Sequence, residues 1–353
     1  MPNQTVVLPG GQFQLPPSSD EPLVAFRCSP AFRPYLQEDA ENVTFIIDTP
    51  IVDRYIQGAS PIALPSSGSG SWDGLGTMNV TISIGGRVCA NQEVPLNTTG
   101  YEIPLHVSSL PTQKTAYQVT CTATYQGETS SSPDHIEPYY SASASLLYLP
   151  DTQGSVVKTD LRTGTLWTRP ANGTGGPFQP FIPQGFYVSF DQYLAKNLSI
   201  IDQLKADGFN TVRSISHLWC GPKLTLSQIH PIPPYDNATL FEQVANRAAA
   251  LGLYIIYDMR SCVVGLSVPS LSYSVLPSRS YQDLSAVAQQ VATYSSFPNL
   301  LLWETAHEPD GNSDPFNAAR DTYDLIYEMD GYHPVSIVLN CQVKRPIIMD
   351  EHR

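Results

Sequence analysis

Alternation is plainest at Asn79-Val80-Thr81-Ile82-Ser83-Ile84, where the even positions are apolar and the odd ones polar. A period of two is the pattern of a strand with one buried face. The same texture runs from about residue 21 to 150, through PLVAFRCSP, NVTFIIDTP, MNVTISIGGRVC, AYQVTCTATYQG and SASLLYLP. Clusters of turn residues such as SSGSGSWDG and TYQGE separate these segments, and no helical period interrupts them. Short strands at regular spacing predict an immunoglobulin-like β-sandwich over residues 21–150. Residues 1–20, rich in Pro, Gly and Ser, read as a flexible N-terminal segment. GSVVKTDLRTGTLWTRP predicts a hairpin turning at Arg162-Thr163-Gly164, and NGTGGPFQP a linker, so that residues 151–176 join two units.

From residue 177 the rhythm changes. FIPQGFYVSF, NTVRSI, LYIIYDM, NLLLWETA and HPVSIVLNC are short apolar runs that predict five strands. Between them lie four segments of helical period. In YLAKNLSIIDQLKADGF, Leu194, Leu198, Ile201 and Leu204 share one helical face. NATLFEQVANRAAALG has Asn237 or Asp236 as its cap and Gly252 as its stop. SYQDLSAVAQQVATYSSF, with Ser280 as cap, and DPFNAARDTYDLIYEMDG complete the set. Strands that are apolar throughout, alternating with helices, predict a parallel sheet in an α/β unit over residues 177–341. Both a (β/α)8 barrel and a doubly wound sheet satisfy that pattern. Residues 342–353 form an atypical tail.

Charge and cysteine usage narrow the partners. The net charge of −13 opposes binding to nucleic acid or to an anionic membrane surface. No run approaches the length of a membrane span. Seven N-x-[ST] sequons, at Asn3, Asn42, Asn79, Asn97, Asn172, Asn197 and Asn237, point to the secretory route. The start of the chain has no basic and apolar leader, so the expectation is that the natural N-terminus lies upstream of Met1. None of the six cysteines forms C-x-x-C. One bridge is expected among Cys28, Cys89 and Cys121, and another between Cys220 and Cys262. No cofactor or metal is expected: no G-x-G-x-x-G or G-x-x-x-x-G-K-[ST] occurs. His307-Glu308 lacks the second histidine of H-E-x-x-H, where Gly311 stands. Gly265-Leu266-Ser267-Val268 is followed by Pro269 rather than glycine, so the serine-hydrolase elbow fails as well.

Polar groups gather at the predicted strand ends: Arg213 after the second strand, Asp258 and Arg260 after the third, and His307 and Glu308 after the fourth. Barrels and open parallel sheets both place their ligands there. The stretch WETAHEPD resembles the fourth-strand motif of clan A glycoside hydrolases, whose mannanase- and cellulase-type members often read W-E-L-x-N-E-P. Trp303, Glu304, Ala306, Glu308 and Pro309 match as they stand. FNTVRSISH and GLYIIYDM are similar to the family's second and third strands.

The resemblance implies a (β/α)8 barrel, carried through its fifth strand, behind an N-terminal β-sandwich. It implies retaining hydrolysis of an O-glycosidic bond with Glu308 as general acid/base, and a carbohydrate as partner. Arg213 would be the family's second-strand arginine. His307 stands where the family usually has asparagine, beside a sugar hydroxyl. His217 and Trp219 follow the second strand and could line a sugar cleft or pack a loop around Cys220. Glu304 shares the strand parity of Glu308 and is expected to point into the interior beneath it. The family's nucleophile is a glutamate after a seventh strand, so the expectation is of a chain cut short. A secreted, non-catalytic carbohydrate-binding or structural protein remains the alternative. Oligomeric state has no signature in the sequence.

Overall fold

The computed structural model describes residues 15–64, 75–125, 139–215, 237–259, 284–307 and 316–339. The N-terminal part is a β-sandwich. One four-stranded antiparallel sheet contains Thr77–Ile84, Arg87–Pro95, Tyr117–Tyr125 and Tyr139–Leu146. A three-stranded sheet contains Arg27–Pro30, Val43–Asp48 and Tyr101–Leu105. Strand alternation supplies the core between them: Met78, Val80, Ile82 and Ile84 from one sheet meet Val43, Phe45, Ile47 and Ile103 from the other. The hairpin at Gly85-Gly86 has φ of 56° and 82°, the left-handed pair that a tight two-residue turn demands. A disulfide joins Cys28 on one sheet to Cys121 on the other, and Cys89 is free. The expected Cys220–Cys262 pair lies outside the described residues, as do Ser280 and Arg260.

The hairpin over Val157–Asp160 and Leu166–Thr168 forms, turning through Gly164. It also recruits two strands that the sequence pattern left elsewhere, Phe32–Arg33 on one side and Gln179–Phe181 on the other. Its inner residues Val157, Ala171 and Phe181 pack against Tyr254 and Leu301 of the following sheet. Ser155 and Val157 hydrogen-bond to the carbonyls of Phe297 and Tyr332.

That sheet has five parallel strands: β1 (Gly185–Ser189), β2 (Thr211–Ile215), β3 (Tyr254–Asp258), β4 (Leu300–His307) and β5 (Val335–Val338). Their spatial order is their chain order, and the described strands do not close on themselves. Among the described residues four helices lie between them: α1 (Ser199–Ala206), α2 (Ala238–Ala250), α3 (Leu284–Tyr294) and α4 (Phe316–Met329). All four bury residues in one cluster with Val188, Val212, Ile255, Tyr257, Leu300 and Trp303. The described helices therefore cover one face. A doubly wound sheet reverses its strand order and carries helices on both faces. Neither feature is present among the described strands, so the doubly wound alternative loses its support.

The first predicted helix is split. Phe190–Leu194 forms a single π turn, and α1 starts only at Ser199, where Asn197 Oδ1 accepts from the Ser199 amide. Asn197 competes for the backbone locally and interrupts the i to i+4 ladder. Asn237, not Asp236, caps α2, accepting from the Leu240 amide at 3.0 Å. Gly252, with φ 73°, follows as its stop. Among the described residues no helix is long and apolar enough to cross a membrane.

Candidate functional site

The candidate site lies on the face of the parallel sheet opposite the described helices, beyond the part that the hairpin packs against. Side chains alternate across a strand, and parallel register aligns them between strands. Tyr187 pairs with Arg213, Arg213 with Ile256, Asp258 with Glu304, and Glu304 with Ser336. Since Val188, Val212, Tyr257 and Trp303 face the helices, their neighbours Tyr187, Arg213, Asp258 and Glu304 project from the opposite face.

There Arg213 Nη2 donates to Asp258 Oδ2 at 3.3 Å and to Glu304 Oε1. All three groups are nearly sequestered: relative exposure is 6% for Arg213, 4% for Asp258 and 2% for Glu304. Charges this deep persist only when paired and hydrogen-bonded. The guanidinium carbon lies 4.0 Å from the ring centroid of Tyr187, a cation–π contact across the β1–β2 pair.

Of the residues proposed from sequence, Arg213 is placed in this cluster, and Glu304 points from the same face. Asp258 pairs with Arg213. Trp303 is core packing: it is fully buried on the helical side, with its indole N–H donating to Asp330 at 2.6 Å. Glu308 and His217 lie outside the described residues, as does the side chain of His307, whose backbone closes β4. Trp219 lies outside them too.

Tyr187 was missed by the sequence reading. Its signal was parity: it stands one residue before the helix-facing Val188. A second buried array was missed altogether. Asp330 Oδ2 lies 2.8 Å from His333 Nδ1, and His333 Nε2 lies 2.8 Å from Ser155 Oγ. The order matches a hydrolytic triad, but all three residues are buried, and the Ser155 hydroxyl also donates to the Phe297 carbonyl at 2.6 Å. No substrate reaches such a serine. The array instead ties the approach to the hairpin, through Ser155, to the loop before β5. Burial alone would raise the Asp330 carboxyl. The charge of His333 and hydrogen bonds from His333, Trp303 and the Tyr332 amide outweigh it and hold the carboxyl below its ordinary range. Among the described residues no group of three or more His, Cys, Asp or Glu side chains could hold a metal ion.

No family model matches the chain, and no curated protein matches it. Several solved structures are similar. The β-glucuronidase 3 of Bacteroides uniformis is 12% identical, with 90% of this chain and 32% of that one covered and a TM-score of 0.30. For the Bifidobacterium dentium β-glucuronidase complexed with coumarin-3-O-glucuronide the values are 14%, 89%, 44% and 0.30. For the Pseudomonas stutzeri endoglucanase Cel5A they are 18%, 40%, 42% and 0.26. The chain thus spans from about a third to less than half of the length of these structures. Identities and scores of this size fix neither fold nor chemistry.

Proposed function

We propose that this chain is a glycoside hydrolase-like protein whose parallel sheet is part of a clan A (β/α)8 barrel, preceded by an immunoglobulin-like sandwich. The observation that carries the reading is the Arg213–Asp258–Glu304 cluster on the face opposite the described helices, with Glu304 in β4 shortly before His307 and Glu308 in the sequence. Sequential parallel strands with helices on one face are what a barrel wall requires.

In this reading Glu308 is the general acid/base. It protonates the leaving glycosidic oxygen and later takes a proton from the attacking water, as a retaining mechanism demands. Its partner carboxylate would have to stand about 5–5.5 Å away, and the resemblance assigns that role to a glutamate after a seventh strand. Arg213 fixes Glu304 and Asp258 beneath the reacting bond. His307 and His217 bind sugar hydroxyls, since imidazole both donates and accepts hydrogen bonds. The substrate is a carbohydrate. The seven sequons and the Cys28–Cys121 bridge favour an extracellular glycoprotein.

An aryl-glycoside panel tests the activity. Release of aryl alcohol from at least one substrate whose leaving group needs a proton, largely lost in Glu308→Gln, is the expected result. Sugar binding in calorimetry with no turnover would replace the enzyme reading with a non-catalytic carbohydrate binder.

A further inference from the structure

Six of the seven sequons fall on described residues, and four of them share one geometry. At Asn97, Asn172, Asn197 and Asn237 both the asparagine and the hydroxyl residue two places on are exposed. In each the carboxamide oxygen is held by a backbone amide. Asn97 Oδ1 accepts from Ile51 at 3.1 Å, Asn172 Oδ1 from Thr174 at 3.1 Å, Asn197 Oδ1 from Ser199 at 3.0 Å and Asn237 Oδ1 from Leu240 at 3.0 Å. The Thr174 and Ser199 hydroxyls donate to the same oxygens, both at 2.8 Å. A pinned oxygen fixes the plane of the side chain and leaves Nδ2 as its outer end. Asn42 is exposed too, but its Thr44 is half-buried in a strand.

Asn79 is placed differently. It stands inside Thr77–Ile84, a strand flanked on both sides, with Glu93 and Thr124 opposite it. Asn79 and Thr81 are half-buried, and the Thr81 hydroxyl accepts from Asn91 Nδ2 at 2.8 Å. Asn79 Oδ1 is sealed from solvent without a hydrogen-bond partner. In a planar trans amide the substituent on nitrogen lies on the same side as the oxygen. A sugar on Asn79 would be driven into the space that already buries Oδ1. At the four pinned sites that side faces water. We infer that Asn97, Asn172, Asn197 and Asn237 carry N-linked oligosaccharides and that Asn79 stays bare. Attachment joins Nδ2 to the anomeric carbon of an N-acetylhexosamine, donated by a lipid-pyrophosphate-linked oligosaccharide. The carbon–oxygen bond to the pyrophosphate breaks, the pyrophosphate leaves with the electron pair, and Nδ2 gives up one proton. The Oδ1 bonds survive this step, so α2 keeps its cap. The inference rests on the proposed extracellular reading and says where its glycans attach.

Site mapping of the chain secreted from a eukaryotic host behind a cleavable leader tests it. Enzymatic deglycosylation in heavy-oxygen water turns each occupied asparagine into labelled aspartate, read by peptide mass spectrometry. Label is expected at Asn97, Asn172, Asn197 and Asn237, with none at Asn79. Thr174→Ala, Ser199→Ala and Thr239→Ala should each lose the mass of one glycan, and Thr81→Val should lose none. Where a variant is not secreted, the wild-type map alone decides. Label at Asn79, or its absence from any of the four, would overturn the partition while leaving the glycoprotein reading standing. Retention of the chain in the host, or secretion with every sequon bare, would remove both.

Discussion

At the scale of single residues, the chemistry concentrates in side chains that burial forces into company. Arg213 is the clearest case. Its substitution by methionine leaves Asp258 and Glu304 without the cation that neutralises them, at 4% and 2% exposure. Breaking a buried pair in this way costs about 3–5 kcal/mol, so urea unfolding of Arg213→Met should show a loss of that order. A loss below about 1 kcal/mol would mean that the charges are not mutually dependent. Asp330 makes a different prediction, in pH. Because the folded state holds its carboxyl below the ordinary value of about 3.9, its stabilisation is complete above that value and fades as pH falls through the depressed one. Asp330→Asn should therefore be less stable than wild type at pH 7, with the gap narrowing below about pH 4. Melting curves at pH 7, 5 and 3 would reveal it, and a gap independent of pH would refute the linkage. Arg213 was legible beforehand because strand parity and position suffice to place it. The Ser155–His333–Asp330 array was not, since its members lie 178 and 3 positions apart and meet only through the packing of the hairpin on the sheet.

At the scale of elements, what could be read from sequence followed the strength of the period. α2 has both a cap and a stop, and both stand where the pattern put them. Removing the cap with Asn237→Ala should cost about 1 kcal/mol, measurable as a lowered unfolding midpoint with an unchanged denaturant slope. No change would show that the first turn of α2 draws its stability from packing alone. The first predicted helix failed at its N-terminal half because the hydrophobic spacing of Leu194 and Leu198 says nothing about Asn197, whose carboxamide turns the backbone instead. The apolar run FIPQGFYVSF likewise reads as one strand. It is two, since Phe181 completes the hairpin sheet while Gly185 begins β1, packed close against the Thr211 carbonyl. Periodicity reports that a segment is buried, and only the tertiary partners decide which sheet buries it.

At the scale of the molecule, three layers are joined by few but specific devices. The Cys28–Cys121 bridge spans 93 positions and ties the two sheets of the sandwich. Replacing both cysteines with alanine should cost about 2–5 kcal/mol, read as a lower melting temperature under oxidising conditions. An unchanged melt would show that the core alone holds the sheets. The hairpin then serves both neighbours, through Phe32–Arg33 on one side and Tyr254 and Leu301 on the other. Beyond it the parallel sheet presents a helix-covered face and a face that carries the Arg213–Asp258–Glu304 cluster, and we propose that β4 delivers Glu308 to the latter as a general acid. A pair of substrates that differ only in leaving group tests this most directly. A phenyl glycoside needs a proton to depart, whereas a 2,4-dinitrophenyl glycoside does not. Glu308→Gln should lose at least about a hundredfold in kcat/KM on the first and little in the step that releases dinitrophenol from the second. Equal losses on both substrates, or no loss on either, would contradict the assignment of Glu308 as the acid.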